Sequence, residues 1–238
     1  MEEKNYKSNF GEVEVAMEYI DLSYPIKKHW RWMYHKTLDR DYLLGGPLRE
    51  EVLHMPVHCF THIDPPGHAV PNGTMIDEIP LHTLIGKAKI LDFTDFPENT
   101  GISAQDMETR GANVKQGDII IIKTCHGLKY SLEDKDFWFR SPYMQADAGE
   151  WMAKKGIRAA GFDFPQDYVL RDFFIGRIPT IETMHMHNIL LNSGIIQIEY
   201  LTNLEKIQEN EIMLYAIPLN LEKTAGSPAR VFAVREDD

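Results

Sequence analysis

The residues of this 238-residue chain best suited to chemistry lie close together: His54, His58, His62 and His68, four of ten histidines, fall within fifteen positions. The central stretch reads His58-Cys59-Phe60-Thr61-His62-Ile63-Asp64-Pro65-Pro66-Gly67-His68. Imidazole nitrogen and carboxylate oxygen are the usual ligands of zinc, manganese and iron. His62 and Asp64, two apart, project from one face of an extended chain with roughly 6–7 Å between their Cα atoms, so both can reach one ion. His58 and His62 would stand about 13 Å apart on a straight strand. To share a metal they need a turn between them, as one helical turn brings i and i+4 together. Pro65, Pro66 and Gly67 prevent a helix from continuing past Asp64 and hold a rigid loop. His68 follows that loop, facing the same ion or its bound water. The competing reading is a polar loop of ordinary hydrogen-bonding histidines, and the coincidence of three histidines and one aspartate speaks against it. With no cysteine pair, a closed structural zinc site is disfavoured, and nitrogen and oxygen ligands with open positions suit a catalytic ion. Spacing alone does not name the metal.

Several apolar, β-branched runs flank this stretch and read as strands: 89–93, 118–123, 159–164, 212–219 and 230–234. Helical spacing covers 145–154, with Gly156 as a stop, and 182–192, ended by Asn192-Ser193-Gly194. A third short helix is expected over 202–208, opened by a capping box at Thr202-Asn203-Leu204-Glu205. Strands and helices alternate in the second half, whereas the first is richer in strand and loop. The pattern is α/β with a mixed sheet and packed helices. No linker or repeat divides the sequence, so 1–238 is read as one domain, long enough to bury a sizeable core.

The formal net charge of −11 repels phosphate backbones, which argues against nucleic acid as a partner. No apolar run approaches the ~18–20 residues that span a bilayer, and the first fifteen residues lack the apolar core of a secretory signal. Two cysteines, Cys59 and Cys125, are too few for a disulfide framework. A cytoplasmic protein with free thiols is expected.

The central stretch resembles the signature of the cyclase-like metal hydrolases, a family that includes bacterial kynurenine formamidases and isatin hydrolases. Their pattern His-x-Gly-Thr-His-x-Asp-x-Pro-x-His is matched at His58, Thr61, His62, Asp64, Pro66 and His68. Further likeness runs through Asp21-Leu22-Ser23-Tyr24-Pro25, the segment Gly73 to Leu81, and Gly226-Ser227-Pro228-Ala229-Arg230, nearly the whole chain. The resemblance implies a swivelling β/β/α fold and supplies ligands that spacing does not find: His187 and, twelve positions on, Glu199. His185 competes with His187 but breaks that offset. Read from the residues, Glu199 follows an apolar run and would be costly to bury unpaired.

By the same resemblance, His58, His62 and Asp64 bind a first divalent ion and Asp64, His187 and Glu199 a second. Zinc is the first expectation, as one or two ions, with manganese the alternative. His68 becomes the catalytic acid/base, and the protein is expected to be a homo-oligomer, at least a dimer. The family's glycine is Phe60 here, and the small residue before the proline is Pro65, departures that bear on the substrate pocket. Trp30 and Trp32, in His29-Trp30-Arg31-Trp32-Met33-Tyr34, lie where the family places an aromatic substrate contact, so Trp30, Trp32 and Phe60 are candidate substrate-binding residues. Packing in a core or subunit interface is the alternative for these aromatics and for Phe137-Trp138-Phe139. His126 reads as a structural histidine.

The implied chemistry is hydrolysis of a non-peptide C–N bond, in an aryl formamide or cyclic amide, by metal-activated water. The metal stabilises the developing oxyanion, and His68 shuttles the proton. Two alternatives stand beside it: a metal-assisted cyclase, dehydratase or lactone hydrolase acting on a small carbonyl substrate, and a metal-binding protein without turnover. No Gly-x-Ser-x-Gly elbow or Gly-rich phosphate loop points elsewhere.

Overall fold

A computed structural model describes residues 17–236. Its strands are β1 (Met17–Asp21), β2 (His35–Arg40), β3 (Glu50–His54), β4 (His62–Asp64), β5 (Ile85–Asp92), β6 (Gly101–Ile102), β7 (Ile119–Lys123), β8 (Tyr143–Met144), β9 (Ala159–Phe162), β10 (Ile196–Glu199), β11 (Glu211–Pro218) and β12 (Ser227–Glu236). The helices are α1 (Ala104–Gly111), α2 (Lys135–Phe139), α3 (Ala146–Lys155) and α4 (His185–Asn192). Eight strands form one mixed sheet in the order β1-β12-β11-β5-β7-β9-β10-β4, and β4 also pairs with the start of β12. Seven strands therefore close on themselves as a barrel, with β1 added to the remaining edge of β12.

Side-chain period explains the layering. Strand β7, Ile-Ile-Ile-Ile-Lys, is buried throughout. Ile119 and Ile121 enter the barrel core with Ile63, Ile198 and Leu214, whereas Ile120 and Ile122 face outward into a second core. There they meet Met107 of α1, Trp151 and Met152 of α3, and Leu190 of α4. Strands of a parallel sheet covered on both faces read as continuous apolar runs in this way. Antiparallel β11 instead alternates buried with more exposed residues. Helix α1 is capped by Ser103, which accepts from Asp106 N, and α3 ends at Gly156 with φ +69°, a left-handed position that favours glycine.

The α/β pattern with a mixed sheet agrees with the sequence reading, with corrections at three places. The expected helix over 202–208 is a single 3₁₀ turn, Leu204–Lys206. Asn203 is left-handed at φ +58°, and its amide donates to the Asp21 carbonyl, while Thr202 N donates to Leu22 O. Those bonds tie the segment to β1 and prevent Thr202 from capping a helix. The helix expected from 182 starts at His185, after a separate 3₁₀ turn at Ile181–Thr183, because Met184 leaves the helical region at ψ 76°. The β2–β3 hairpin has no counterpart in the sequence reading; every residue of both strands is exposed, so no buried face imposes an alternating pattern. Cys59 and Cys125 are free thiols, and no helix among the described residues is long and apolar enough to cross a membrane.

The layering makes a direct prediction. Ile121→Ala, in the barrel core, should cost about 2–5 kcal/mol, whereas Ile178→Ala at an exposed position (85% accessible) should stay within about 0.5 kcal/mol. Urea midpoints at constant slope measure both; equal midpoints would refute the assignment of Ile121 to a packed interior.

Candidate metal centre

The site is built on two adjacent short strands, β4 and β10, paired antiparallel with Gln197 opposite Asp64 and Glu199 opposite His62. Alternation sends Ile63 and Ile198 into the barrel core and leaves His62, Asp64, Gln197 and Glu199 on the other face. All four are buried. Pro65, at φ −79° and ψ 165°, ends β4, and Pro66–His68 forms a 3₁₀ turn that swings His68 back over Asp64.

All six residues singled out for the metal and the proton converge here. His58 Nδ1 lies 2.7 Å from Asp64 Oδ1, and His62 Nε2 lies 3.3 Å from the same oxygen. His187 Nε2 is 3.5 Å from Asp64 Oδ2 and 3.2 Å from Glu199 Oε1. His62 Nε2 is also 3.7 Å from Glu199 Oε2. His68 Nε2 is 3.9 Å from Asp64 Oδ2, with its ring stacked on His58 at 3.8 Å. The donors fall into two clusters that share Asp64, one with His58 and His68 and one with His62 and Glu199. His187 stands between the two carboxylates. His185, the competitor, is exposed.

Several further contacts fix these rings. His62 Nδ1 donates to the Phe60 carbonyl at 2.8 Å, so its Nε2 faces the carboxylates. His187 Nδ1 donates to Asp167 Oδ2 at 2.6 Å, and Asp167 also accepts the Met186 and His187 backbone N–H groups, capping α4. A histidine oriented through its second nitrogen in this way is typical of metal sites. Gln166 donates to both Gln197 and Glu199. Thr61 Oγ1 accepts from Tyr24 N and donates to Tyr200 O, tying the loop to its neighbours. At Gly226 a Cβ would fall 2.4 Å from His58 Cε1, so only glycine leaves room for that ring.

Electrostatics show what holds two buried carboxylates side by side. Burial opposes ionisation of Asp64, yet the charge of His62, with His187 nearby and a hydrogen bond from His58, holds it well below the usual carboxylate range. Burial and then the Asp64 charge push Glu199 upward. Burial disfavours charge on His62, and the Asp64 carboxylate overturns this, raising it to about 9. Against the same burial, Glu199 and Asp167 lift His187 well above the ordinary imidazole value. Burial lowers His68 to about 4, outweighing its attraction to Asp64. Asp64 Oδ2 is nonetheless buried without a hydrogen-bond partner. A buried acceptor left so is costly. This orphan oxygen amid imidazole nitrogens and a second carboxylate fits a divalent cation of the nitrogen- and oxygen-preferring kind.

Above the cluster opens a cavity of about 330 Å³, bounded on its apolar side by Trp32, Leu170, Phe173, Ile181 and Met184. Trp32, an expected substrate contact, lines it. Trp30 lies instead on an adjoining groove with Phe173 and Phe174, its Nε1 donating to Glu133 O at 2.8 Å. Phe60 does not line the cavity: 1% exposed, it packs beneath the loop against Trp32 at 4.8 Å and His29 at 5.6 Å. Its φ of +53° is in the left-handed region that favours glycine, the residue the resembled signature has at this position. His126 donates to or accepts from nothing in the cavity; its Nε2 bonds Phe137 O at 3.0 Å. Sequence reasoning missed Gln166, Asp167 and the 170–184 wall, and it named Gly226 only as part of the C-terminal signature. For the first two a signal existed: polar residues just past the C-terminal end of parallel strand β9, where open α/β sheets place their ligands.

A closed mixed barrel carrying a buried histidine–carboxylate cluster defines the class of protein. The profile of the family described as "Putative cyclase" matches residues 20–166. The chain belongs to that family. It is 26% identical over 223 residues to a kynurenine formamidase of Bacillus cytotoxicus, covering 90% of this chain and 96% of that one. Among solved structures it is similar to a "predicted metal-dependent hydrolase" of Bacillus stearothermophilus (28% identity, TM-score 0.70, 94% and 100% of the two chains). It shares the fold of isatin hydrolase A from Labrenzia aggregata (19% identity, TM-score 0.75, 93% and 94%).

The left-handed backbone at position 60 yields a test. Phe60→Ala should lose about 3–5 kcal/mol of stability through the lost ring, and Phe60→Gly should be more stable than Phe60→Ala by about 1–2 kcal/mol. Chemical denaturation of both variants measures the difference; an alanine variant that outlasts the glycine one would contradict it.

Proposed function

We propose that the protein is a metal-dependent hydrolase that cleaves a non-peptide C–N bond, in an aryl formamide or a cyclic amide. The observation that carries this reading is the partnerless Asp64 Oδ2 within reach of His187 and His68, beneath a cavity of small-molecule size. Its similarity to the kynurenine formamidase over nearly both full lengths supports the same chemistry. A divalent cation supplies Lewis-acid activation of water and charge stabilisation at the carbonyl oxygen. His58, His62, Asp64, His187 and Glu199 would hold it. Zinc is the first candidate ion and manganese the second, as one ion or two; of the two donor clusters that share Asp64, one includes His68.

The chain's own residues do the rest. Asp167 and the Phe60 carbonyl keep the Nε2 atoms of His187 and His62 turned to Asp64 and Glu199, where a cation would bind. Trp32 and Phe173 offer apolar faces to a substrate ring and keep water from the cavity wall. His68, held neutral by burial, accepts a proton from the attacking water at Nε2 and returns it to the leaving nitrogen.

Purified protein should contain a divalent ion by elemental analysis and hydrolyse an aryl formamide or isatin. Asp64→Ala and His62→Ala should lose the metal, whereas His68→Ala should keep it and lose roughly 10²–10⁴ in rate. A His68→Ala protein without metal would make His68 a ligand, and one with full activity would remove its proton-transfer role. Wild-type protein inert towards both substrates would defeat the proposed reaction.

The working unit is a homodimer joined in part through the β2–β3 hairpin. A two-stranded hairpin alone in water is marginal, and this one and its turn expose Leu38, Leu43, Leu44, Val52 and Leu53. Apolar side chains so gathered mark an interaction surface. Sedimentation should give a dimer for the wild type and a smaller species for Leu44→Glu/Leu53→Glu; a monomeric wild type would contradict the assembly.

A further inference from the structure

We infer that Tyr200 is a further catalytic residue, whose hydroxyl donates a hydrogen bond to the carbonyl oxygen of the bond being cleaved. The inference rests on the hydrolase reading and deepens it. Tyr200 is the one hydroxyl-bearing residue among those that line the cavity. It is 3% exposed, and a tyrosine so buried usually finds a partner for its hydroxyl. Among the described residues Tyr200 Oη has none; the bond Tyr200 does make is through its carbonyl, which accepts from Thr61 Oγ1 at 2.7 Å. Nor is that oxygen enclosed: the enclosed side-chain atoms without a partner belong to Asp64, Ser141, Arg158, Gln166 and Gln197. The phenol oxygen therefore reaches open space, and the space that Tyr200 lines is the cavity above the metal centre.

Regular strand geometry would not put it there. Ile198 points into the barrel core and Glu199 to the metal centre, so a continued strand would send Tyr200 after Ile198. Its φ of +53° breaks the alternation, and the consecutive residues Glu199 and Tyr200 both line the cavity. A left-handed backbone is unfavourable for a bulky side chain, and such strain collects at functional sites. Three rings fix the phenol: His62 at 5.7 Å and 28° to its plane, Trp32 at 5.5 Å and Trp138 at 5.4 Å. Tyr200 thus flanks Asp64 on the His62 side, whereas His68 stacks on His58 at 3.8 Å on the other. A carbonyl held between them meets a proton acceptor for the attacking water on one side and a hydroxyl donor for its oxygen on the other. The phenol is protonated at neutral pH and keeps its proton as it donates. A donor already in place for charge that develops on the carbonyl oxygen acts most strongly in the transition state.

The rival account makes Tyr200 only a packing residue of the aromatic layer. Tyr200→Phe separates the two, because it keeps the ring and removes the hydroxyl alone. In the metal-loaded variant kcat for formanilide should fall about 10²–10³-fold, with KM changed by no more than about threefold. Metal content and the urea midpoint should stay at their wild-type values, since the hydroxyl bonds nothing in the chain. An unchanged kcat overturns the inference, and so does a loss of rate that follows a loss of metal. Infrared spectra of formanilide, isotope-labelled at its carbonyl and bound to His68→Ala protein, read the hydrogen bond without turnover. The carbonyl stretch should lie at lower frequency there than in His68→Ala/Tyr200→Phe, and equal frequencies overturn the inference. A Tyr200-dependent shift in a protein that cleaves neither formanilide nor isatin defeats the hydrolase reading and leaves the donor standing. Equal cleavage of formanilide with and without the hydroxyl defeats the donor and leaves the hydrolase reading intact. A formamide that neither binds nor reacts overturns both.

Discussion

Two carboxylates, Asp64 and Glu199, sit almost wholly out of water on neighbouring strands, and the arrangement is tolerable only with positive charge between and around them. Removing an ionised carboxylate from water costs several kcal/mol even after the protein relaxes. Four imidazoles converge on Asp64 to offset that cost, and still one of its oxygens has no partner. The local backbone answers to this demand. Phe60 and Tyr200 both take left-handed φ values of +53°, turning the chain immediately before β4 and after β10. Gly226 yields the space that the His58 ring fills.

The barrel provides the rigidity such a cluster requires. Because β4 pairs with both β10 and β12, the strand carrying His62 and Asp64 has no free edge, and its central Ile63 is locked in the barrel core. Catalytic groups held on strands with packed neighbours stay within the narrow tolerance that chemistry needs. The second layer does the same for His187: α4 packs on the outer face of the sheet through Met186 and Leu190, and Asp167 grips both its first turn and the His187 ring. The wall over the cavity, from Leu170 to Met184, is built of 3₁₀ turns, leaving substrate access to the less regular part of the chain.

How much of this the sequence reveals follows from range. His58, His62, Asp64 and His68 share one short stretch, so residue type and period-two geometry suffice to group them. The buried runs of β7 and β9 and the helix before Gly156 are equally local. His187 and Glu199 lie more than a hundred residues away and came from family resemblance, since no local pattern ties them to Asp64. Asp167 and Gly226 act through contacts that exist only once the barrel is closed. Phe60 shows the limit from the other side: its place in the motif suggested the pocket, but a left-handed backbone turned its ring into the aromatic layer below. The 202–208 segment carried a capping-box pattern, and tertiary bonds from Asn203 and Thr202 overrode it.

Anomalous diffraction from crystals grown with zinc or manganese, recorded on both sides of the absorption edge, tests the central claim most directly. The account predicts a strong edge-dependent peak within coordination distance of Asp64, with nitrogen atoms of at least two of the imidazoles around it. Crystals that bind metal only at the surface, with Asp64 still hydrogen-bonded to His58 and no scatterer beside it, would contradict the account.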